Sequence, residues 1–261
     1  MNALDFGLGA VEQQFWYAVF LMVRIGAALA AAPFFGGASV PATVRAAVAW
    51  AMAIFAAAWL PAVPVPDALF SAAGLLAVAG EVLIGLVLGF VLQISFAAPL
   101  IAAELIGGSM GMSMATAVDP NSGVQSTAFG QYFTIVLTLI FLLTGAHLQW
   151  IALLMESYRS FPPGQTWLGP ERFEMIAGFA TLMFETGLRI ALPVTLVLLL
   201  VQILTGVLSR SAPSLNLFAL GLPAGVLAGL AAMIISAPLI YEQLEDLAVT
   251  AVTQVDEAIT P

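Results

Sequence analysis

Long apolar blocks, broken by short polar or proline-bearing stretches, set the pattern of this chain. About 20 apolar residues are enough to cross a hydrocarbon core of about 30 Å, and several blocks reach that length. Residues 15–35 hold one charge, Arg24. Residues 46–66 hold none and end in Pro61, Pro64 and Pro66. Residues 68–103 contain Glu81, Gln93 and Pro99 and are too long for one straight span, so a kink, hairpin or break near Pro99 is expected. Residues 129–155 carry the sole histidine, His147, and a polar linker with Pro162-Pro163-Gly164 follows. Pro170 suits a first helical position, with Glu171 and Glu174 behind it. Residues 175–208 include Glu185, Arg189 and Pro193, and residues 215–241 include Pro223 and Pro238. Beyond them, residues 242–261 place Leu244, Leu247, Ala251, Val255 and Ile259 at helical spacing among acidic residues. This predicts an acidic amphipathic tail facing a protein partner or water, since membrane-surface helices are usually basic. The pattern predicts an all-α, multi-helix integral membrane protein of long kinked helices and helical hairpins, forming a single domain over 1–261.

Residues 107–127 interrupt the apolar pattern. They read GGSMGMSMATAVDPNSGVQST, with Asp119 the single charge. A Gly- and Met-rich stretch is a poor helix former. Between membrane-length blocks, irregular backbone is tolerated only where protein buries it or it lines a cavity. The stretch is therefore a candidate gate or pore plug. Gly107, Gly108 and Gly111 would supply flexibility, and Met110, Met112 and Met114 adaptable apolar side chains.

Composition sharpens this picture. With 62% hydrophobic and 8% charged residues, the chain lacks the polar surface of a soluble domain. It has no cysteine and no lysine, and the net charge of −9 argues against nucleic acid and anionic lipid surfaces. The acidic N-terminus predicts no cleaved signal peptide. Arginines do not orient the spans: Arg45 and Arg210 fall on one side and Arg159 and Arg172 on the other.

Charges inside the apolar blocks are the remaining candidates. Glu81 lies in a segment with Gly80, Gly85 and Gly89, of which the last two form a small-xxx-small pair. The segment is a helix-packing face, with Glu81 either near that interface or in contact with a partner. Glu185 and Arg189 stand at i, i+4, the order that favours a helical ion pair. Arg24 has no local partner; Glu81, Glu104 and a carboxylate of another subunit stand open. His147 suits a hydrogen-bonding role near Trp150, since nothing in the sequence completes a metal site. No GxSxG, HExxH or phosphate-binding glycine loop occurs, so no enzyme is predicted. A small-solute transporter would fit the broken helices and intramembrane carboxylates, but no inverted repeat is seen.

The order and spacing of several elements resemble the FliR/SctT family of type III secretion export-gate proteins. They are Arg24 followed by Ala32-Pro33-Phe34-Phe35 and Pro41; Gly80-Glu81, Gly85 and Gly89; Gly107-Gly108, Gly111 and Asp119-Pro120; Phe141 and Thr144-Gly145-Ala146-His147; Ser157 with Pro162-Pro163-Gly164; and 208–218 leading to Gly221 and Pro223. Ser214-Leu215 departs from the family's usual Gln-Met. The resemblance implies a non-enzymatic, cofactor-free gate subunit at the flagellar basal body in the bacterial inner membrane. It implies assembly with FliP and FliQ homologues into a helical complex on which an FlhB homologue docks, with membrane lipid around it and unfolded flagellar proteins as substrates. An injectisome gate is the alternative. By position, the family's plug loop maps to 107–119.

Overall fold

The computed structural model describes residues 8–37, 40–60, 71–112, 128–162, 170–211 and 217–260. These residues form seven α-helices: α1 (Leu8–Ala31), α2 (Ala42–Trp59), α3 (Ala72–Ser109), α4 (Ala128–Leu143), α5 (Ala146–Ser160), α6 (Pro170–Ser211) and α7 (Leu217–Ile259). No strand occurs among the described residues. Five helices, α1, α2, α3, α6 and α7, are long and apolar enough to cross a membrane, and α4 with α5 make a sixth if counted as one broken span. The protein is a multi-helix membrane protein.

Helix ends follow local chemistry. Leu60, next to Pro61, closes α2 in extended conformation (φ −80°, ψ 145°), as a residue before proline favours. Pro170 opens α6 with Glu171 in its first turn, where an acid meets the positive end of the helix dipole. Gly145 adopts φ 75° and separates α4 from α5, so the block expected at 129–155 is two helices.

Three other expectations change. The break near Pro99 is absent: α3 runs through it and on to Ser109, 38 residues or about 57 Å at 1.5 Å per residue. Gly107 and Gly108 are therefore helical, not the start of the loop. The block at 215–241 and the acidic tail are one helix of 43 residues with Pro223 and Pro238 inside it. The tail's apolar stripe, Leu244, Leu247, Ala251, Val255 and Ile259, is buried within the chain, where a partner-facing or solvent-facing helix was expected. Each interior proline removes one backbone bond, which the many other bonds of so long a helix outweigh.

The chain packs as two units. The first holds α1, α2, α3 up to Gln93, α5 and the flanking ends of α6 and α7. Its centre is the buried stripe Phe20, Leu21, Arg24, Ile25, Ala28 and Leu29 of α1, spaced three and four apart. Small residues of α2 meet it: Ala49, Ala53 and Ala56 are buried, and a Cβ at Gly26 would sit 4.0 Å from that of Ala49. The second unit holds α3 from Ile94, α4, α6 from Ala180 and α7 up to Thr250. Phe96 stands edge-on to Phe141 at 5.4 Å, and Phe133, Leu137 and Val194 are buried in the same unit. Gly187 of α6 lets that helix lie close to α3: a Cβ there would come within 2.9 Å of the Ala98 carbonyl oxygen and 3.0 Å of the Ile101 Cβ.

Candidate functional site

Within the first unit, Arg24 is fully buried at 0% exposure, and Glu81 of α3 at 1%. An unpaired ion so placed would be strongly unfavourable, and the surroundings remove every reason for one. Arg24 Nε donates to Glu81 Oε2 at 2.8 Å, and Nη2 donates to Oε1 at 2.8 Å. The second Nη2 hydrogen goes to the Phe161 carbonyl at 2.8 Å. Nη1 donates to the Ser157 carbonyl at 2.7 Å and to Ser157 Oγ at 3.1 Å. All five guanidinium donors are thus engaged. The Tyr158 ring lies 4.1 Å from Arg24 Cζ, a cation–π distance, and its hydroxyl donates to the Leu21 carbonyl at 2.5 Å. Of the partners left open by the sequence, Arg24 takes Glu81; Glu104 is exposed in the second unit.

The glycines explain how a bidentate pair closes between two helices. A Cβ at Gly85 would lie 2.8 Å from the Ala27 Cβ and strike the Arg24 carbonyl. One at Gly89 would lie 2.6 Å from the Ala31 Cβ and 2.9 Å from the Ala32 nitrogen. Bare backbone at both lets α3 approach α1 closely enough for Glu81 to meet Arg24 in plane. Gly80 takes no part: a Cβ there would meet nothing within 4 Å. One turn past Gly85, the Leu88 carbonyl accepts from Trp150 Nε1 at 3.3 Å, so α5 is tied to the same stretch of α3.

This cluster is a clamp. Its carboxylate is held by both oxygens and its cation cannot deprotonate, so it presents no free acid or base. Ser157 and Trp150 were named from the sequence but not joined to Arg24, and Tyr158 and Phe161 were missed. The signal is weak, because the Ser157 and Phe161 carbonyls that Arg24 recruits leave no side-chain pattern.

In the second unit, the end of α3 is the other candidate. Gly111 (φ 82°) donates its N–H to the Gly108 carbonyl at 3.0 Å, and Met112 donates to that of Gly107 at 3.0 Å. This reciprocal pair is a Schellman cap with glycine in the left-handed position, which ends the helix sharply. Gly111 thus stops a helix, where flexibility was expected of it. Met110 is 2% exposed. Its side chain fills the notch left by Gly229 of α7, whose Cβ would lie 2.7 Å from Met110 Cγ and 2.9 Å from Sδ. Its carbonyl oxygen would lie 3.1 Å from a Cβ at Gly225. Gly225 and Gly229 form a GxxxG pair that the sequence shows and the sequence reading passed over. Gln202 of α6 donates to the Ser109 carbonyl at 2.8 Å. Met112 is half-buried. Met114, with the rest of the expected plug loop, lies outside the described residues.

The i, i+4 pair forms as expected: Arg189 Nη2 donates to Glu185 Oε1 at 2.5 Å on an exposed face of α6.

Comparisons with known proteins identify the family. The family model described as bacterial export proteins, family 1, matches residues 15–250, across both units. The chain is 34% identical to the flagellar biosynthetic protein FliR of Escherichia coli (strain K12) over 226 residues, 87% of this chain and 86% of that protein. It is 33% identical to FliR of Aquifex aeolicus (strain VF5) over 83% of each chain. With FliR of Bacillus subtilis (strain 168) it shares 30% identity over 85% of this chain and 86% of that one. A match over most of the length, with relatives at this identity, means that the chain belongs to the bacterial export proteins of family 1.

Proposed function

We propose that this chain is an export-gate subunit of the flagellar type III protein secretion apparatus. With FliP and FliQ homologues it forms the channel through which unfolded flagellar proteins cross the bacterial inner membrane at the basal body, and an FlhB homologue docks on that assembly. The whole chain, 1–261, acts as one gate module. The observation that carries this reading is the family match over 15–250 joined to the character of the surface. Large apolar side chains stand uncovered along α4, α6 and α7, with Leu143 at 84% and Ile235 at 79% exposure. Such a surface needs lipid or companion subunits to cover it. The sites described above are a clamp and packing notches, which suits a conduit driven by other components.

In the closed state the part of 107–127 beyond the α3 cap plugs the passage. Met110 anchors its root against α7, with Met112 and Met114 as the plug side chains of this reading. The Gly111 cap marks where the rigid helix hands over to the plug. The alternative, an injectisome gate, draws no support from the relatives above, all of which bear the flagellar name.

Two experiments test this. In a strain lacking the gene, the chain should restore secretion of flagellar proteins and co-purify with the FliP and FliQ homologues. Purification as a stable, isolated homo-oligomer that moves a small solute would favour a transporter. Deleting two or three residues around Gly111 in the complete complex should make cells leaky to small ions, and unchanged permeability would remove the plug.

A further inference from the structure

Glu104 is a carboxylate without a mate. It sits on an exposed face of α3, inside an apolar helix, and among the described residues it makes no hydrogen bond and no ion pair. Its setting follows from its neighbours. Upstream, Ala98 and Ile101 pack on Gly187 of α6; downstream, the Ser109 carbonyl accepts from Gln202 of α6. The two helices therefore run side by side in the same sense, and Glu104 lies alongside the α6 stretch between those contacts. Past Arg189 that stretch has no charged residue. Glu104 thus sits on an apolar helix beside an apolar one, five residues before α3 ends at Ser109.

Among the described residues no cation pairs with it. The chain has no lysine. Arg189, the nearest arginine along α6, is already bound to Glu185, and Arg24 is enclosed by Glu81. One turn beyond Glu104, Gly108 is exposed, and a Cβ there would meet nothing within 4 Å, which leaves room for another backbone to come close. Leu105 beside it is exposed as well. An ionised carboxylate on so apolar a face is unfavourable against lipid tails and gains most from a cation brought by a neighbouring helix.

We infer that the Glu104–Gly108 face of α3 is the docking site for an apolar helix of a different subunit that carries an arginine or lysine at the level of Glu104. This rests on the export-gate reading above. A second copy of this chain is the poorer occupant: a two-fold contact centred on this face sets Glu104 against Glu104, and the chain is already at −9.

The test uses the full chain co-expressed with the companion subunits. A photo-activated crosslinker at Gly108 should join α3 to one companion, within about one turn of a basic residue as read by mass spectrometry. Glu104→Arg should lower the yield of assembled complex about tenfold or more, and Glu104→Gln about two- to fivefold, while membrane levels of the chain stay constant. Changing the identified basic residue to glutamate should restore assembly with Glu104→Arg. If the variants lower membrane levels, the Gly108 crosslink in the otherwise unchanged chain decides. Crosslinks confined to lipid or to a second copy, or full assembly with Glu104→Arg, would overturn the inference and leave the export-gate reading standing. Failure of the unaltered chain to associate with any companion would overturn both.

Discussion

Removing Glu81 alone should damage this protein more than removing Glu81 and Arg24 together. Glu81→Ala leaves a guanidinium at 0% exposure with no counter-charge and strands two of its five donors, Nε–H and one Nη2–H. Each stranded buried donor costs about 1–3 kcal/mol, and breaking a buried pair by deleting one partner costs about 3–5 kcal/mol overall. We expect a loss of about 4 kcal/mol, roughly a thousandfold in the folding equilibrium. Glu81→Gln keeps one acceptor and the shape, so its loss should be smaller, about 2 kcal/mol.

The double variant Arg24→Met, Glu81→Leu removes both charges and keeps apolar volume. Buried pairs replaced in this way are often neutral or better. Here the Phe161 carbonyl and Ser157 lose donors, which offsets the gain by about 1 kcal/mol each. The double variant should therefore fall within about 2 kcal/mol of the natural chain. Reversible unfolding in mixed micelles, followed by tryptophan fluorescence, reads the difference, since Trp150 packs on the same stretch of α3. A loss below about 1 kcal/mol for Glu81→Ala, or a double variant as poor as the sum of the singles, would refute the reasoning.

Other outcomes follow from the glycines. Gly85→Leu or Gly89→Leu should separate α1 from α3 and reduce both folded yield and co-purification with companion subunits, whereas Gly80→Ala, with nothing around it, should be neutral or gain up to about 1 kcal/mol; equal effects at Gly80 and Gly85 in a thermal-shift assay would contradict the close approach. Gly111→Ala should cost about 1–2 kcal/mol by forcing a side chain into left-handed backbone, and normal stability there would deny the Schellman cap. Gly229→Ala should destabilise the chain, and Met110→Ala should rescue it by vacating the notch; failure of the double variant to recover in the same assay would place Met110 elsewhere.

Most of the helices were legible because hydrophobic periodicity and charge-free length both point to spans. What misled was proline. A kink, hairpin or break was expected near Pro99, yet α3 passes through it as one helix, since a long apolar helix outweighs one missing backbone bond. Pro223 and Pro238, placed inside one block from the start, do lie inside α7. Gly145 erred in the opposite direction: one residue at positive φ divides a block whose hydropathy is unbroken. Local dihedral preference is visible only as a glycine, and the chain has 23 of them, so composition alone does not single out the one that turns.

The candidate sites were half legible for a related reason. Glu81, Gly85 and Gly89 stood out as a helix-packing face, and the structure gives that face its purpose, a close approach that seats a carboxylate on Arg24. The choice between Glu81 and Glu104 was not readable, because both are single acids in apolar helix and differ only in what lies across from them. The same ambiguity reaches Met110. As part of a Met-Gly-Met-Ser-Met run it looks equivalent to its neighbours, but a GxxxG notch in α7, more than 100 residues later, fixes it as a knob in a hole. Gly111 caps the helix and Met110 seats in the Gly229 notch, so together they fix the end of α3 in register against α7, and a change at either side of the notch should be felt at the other.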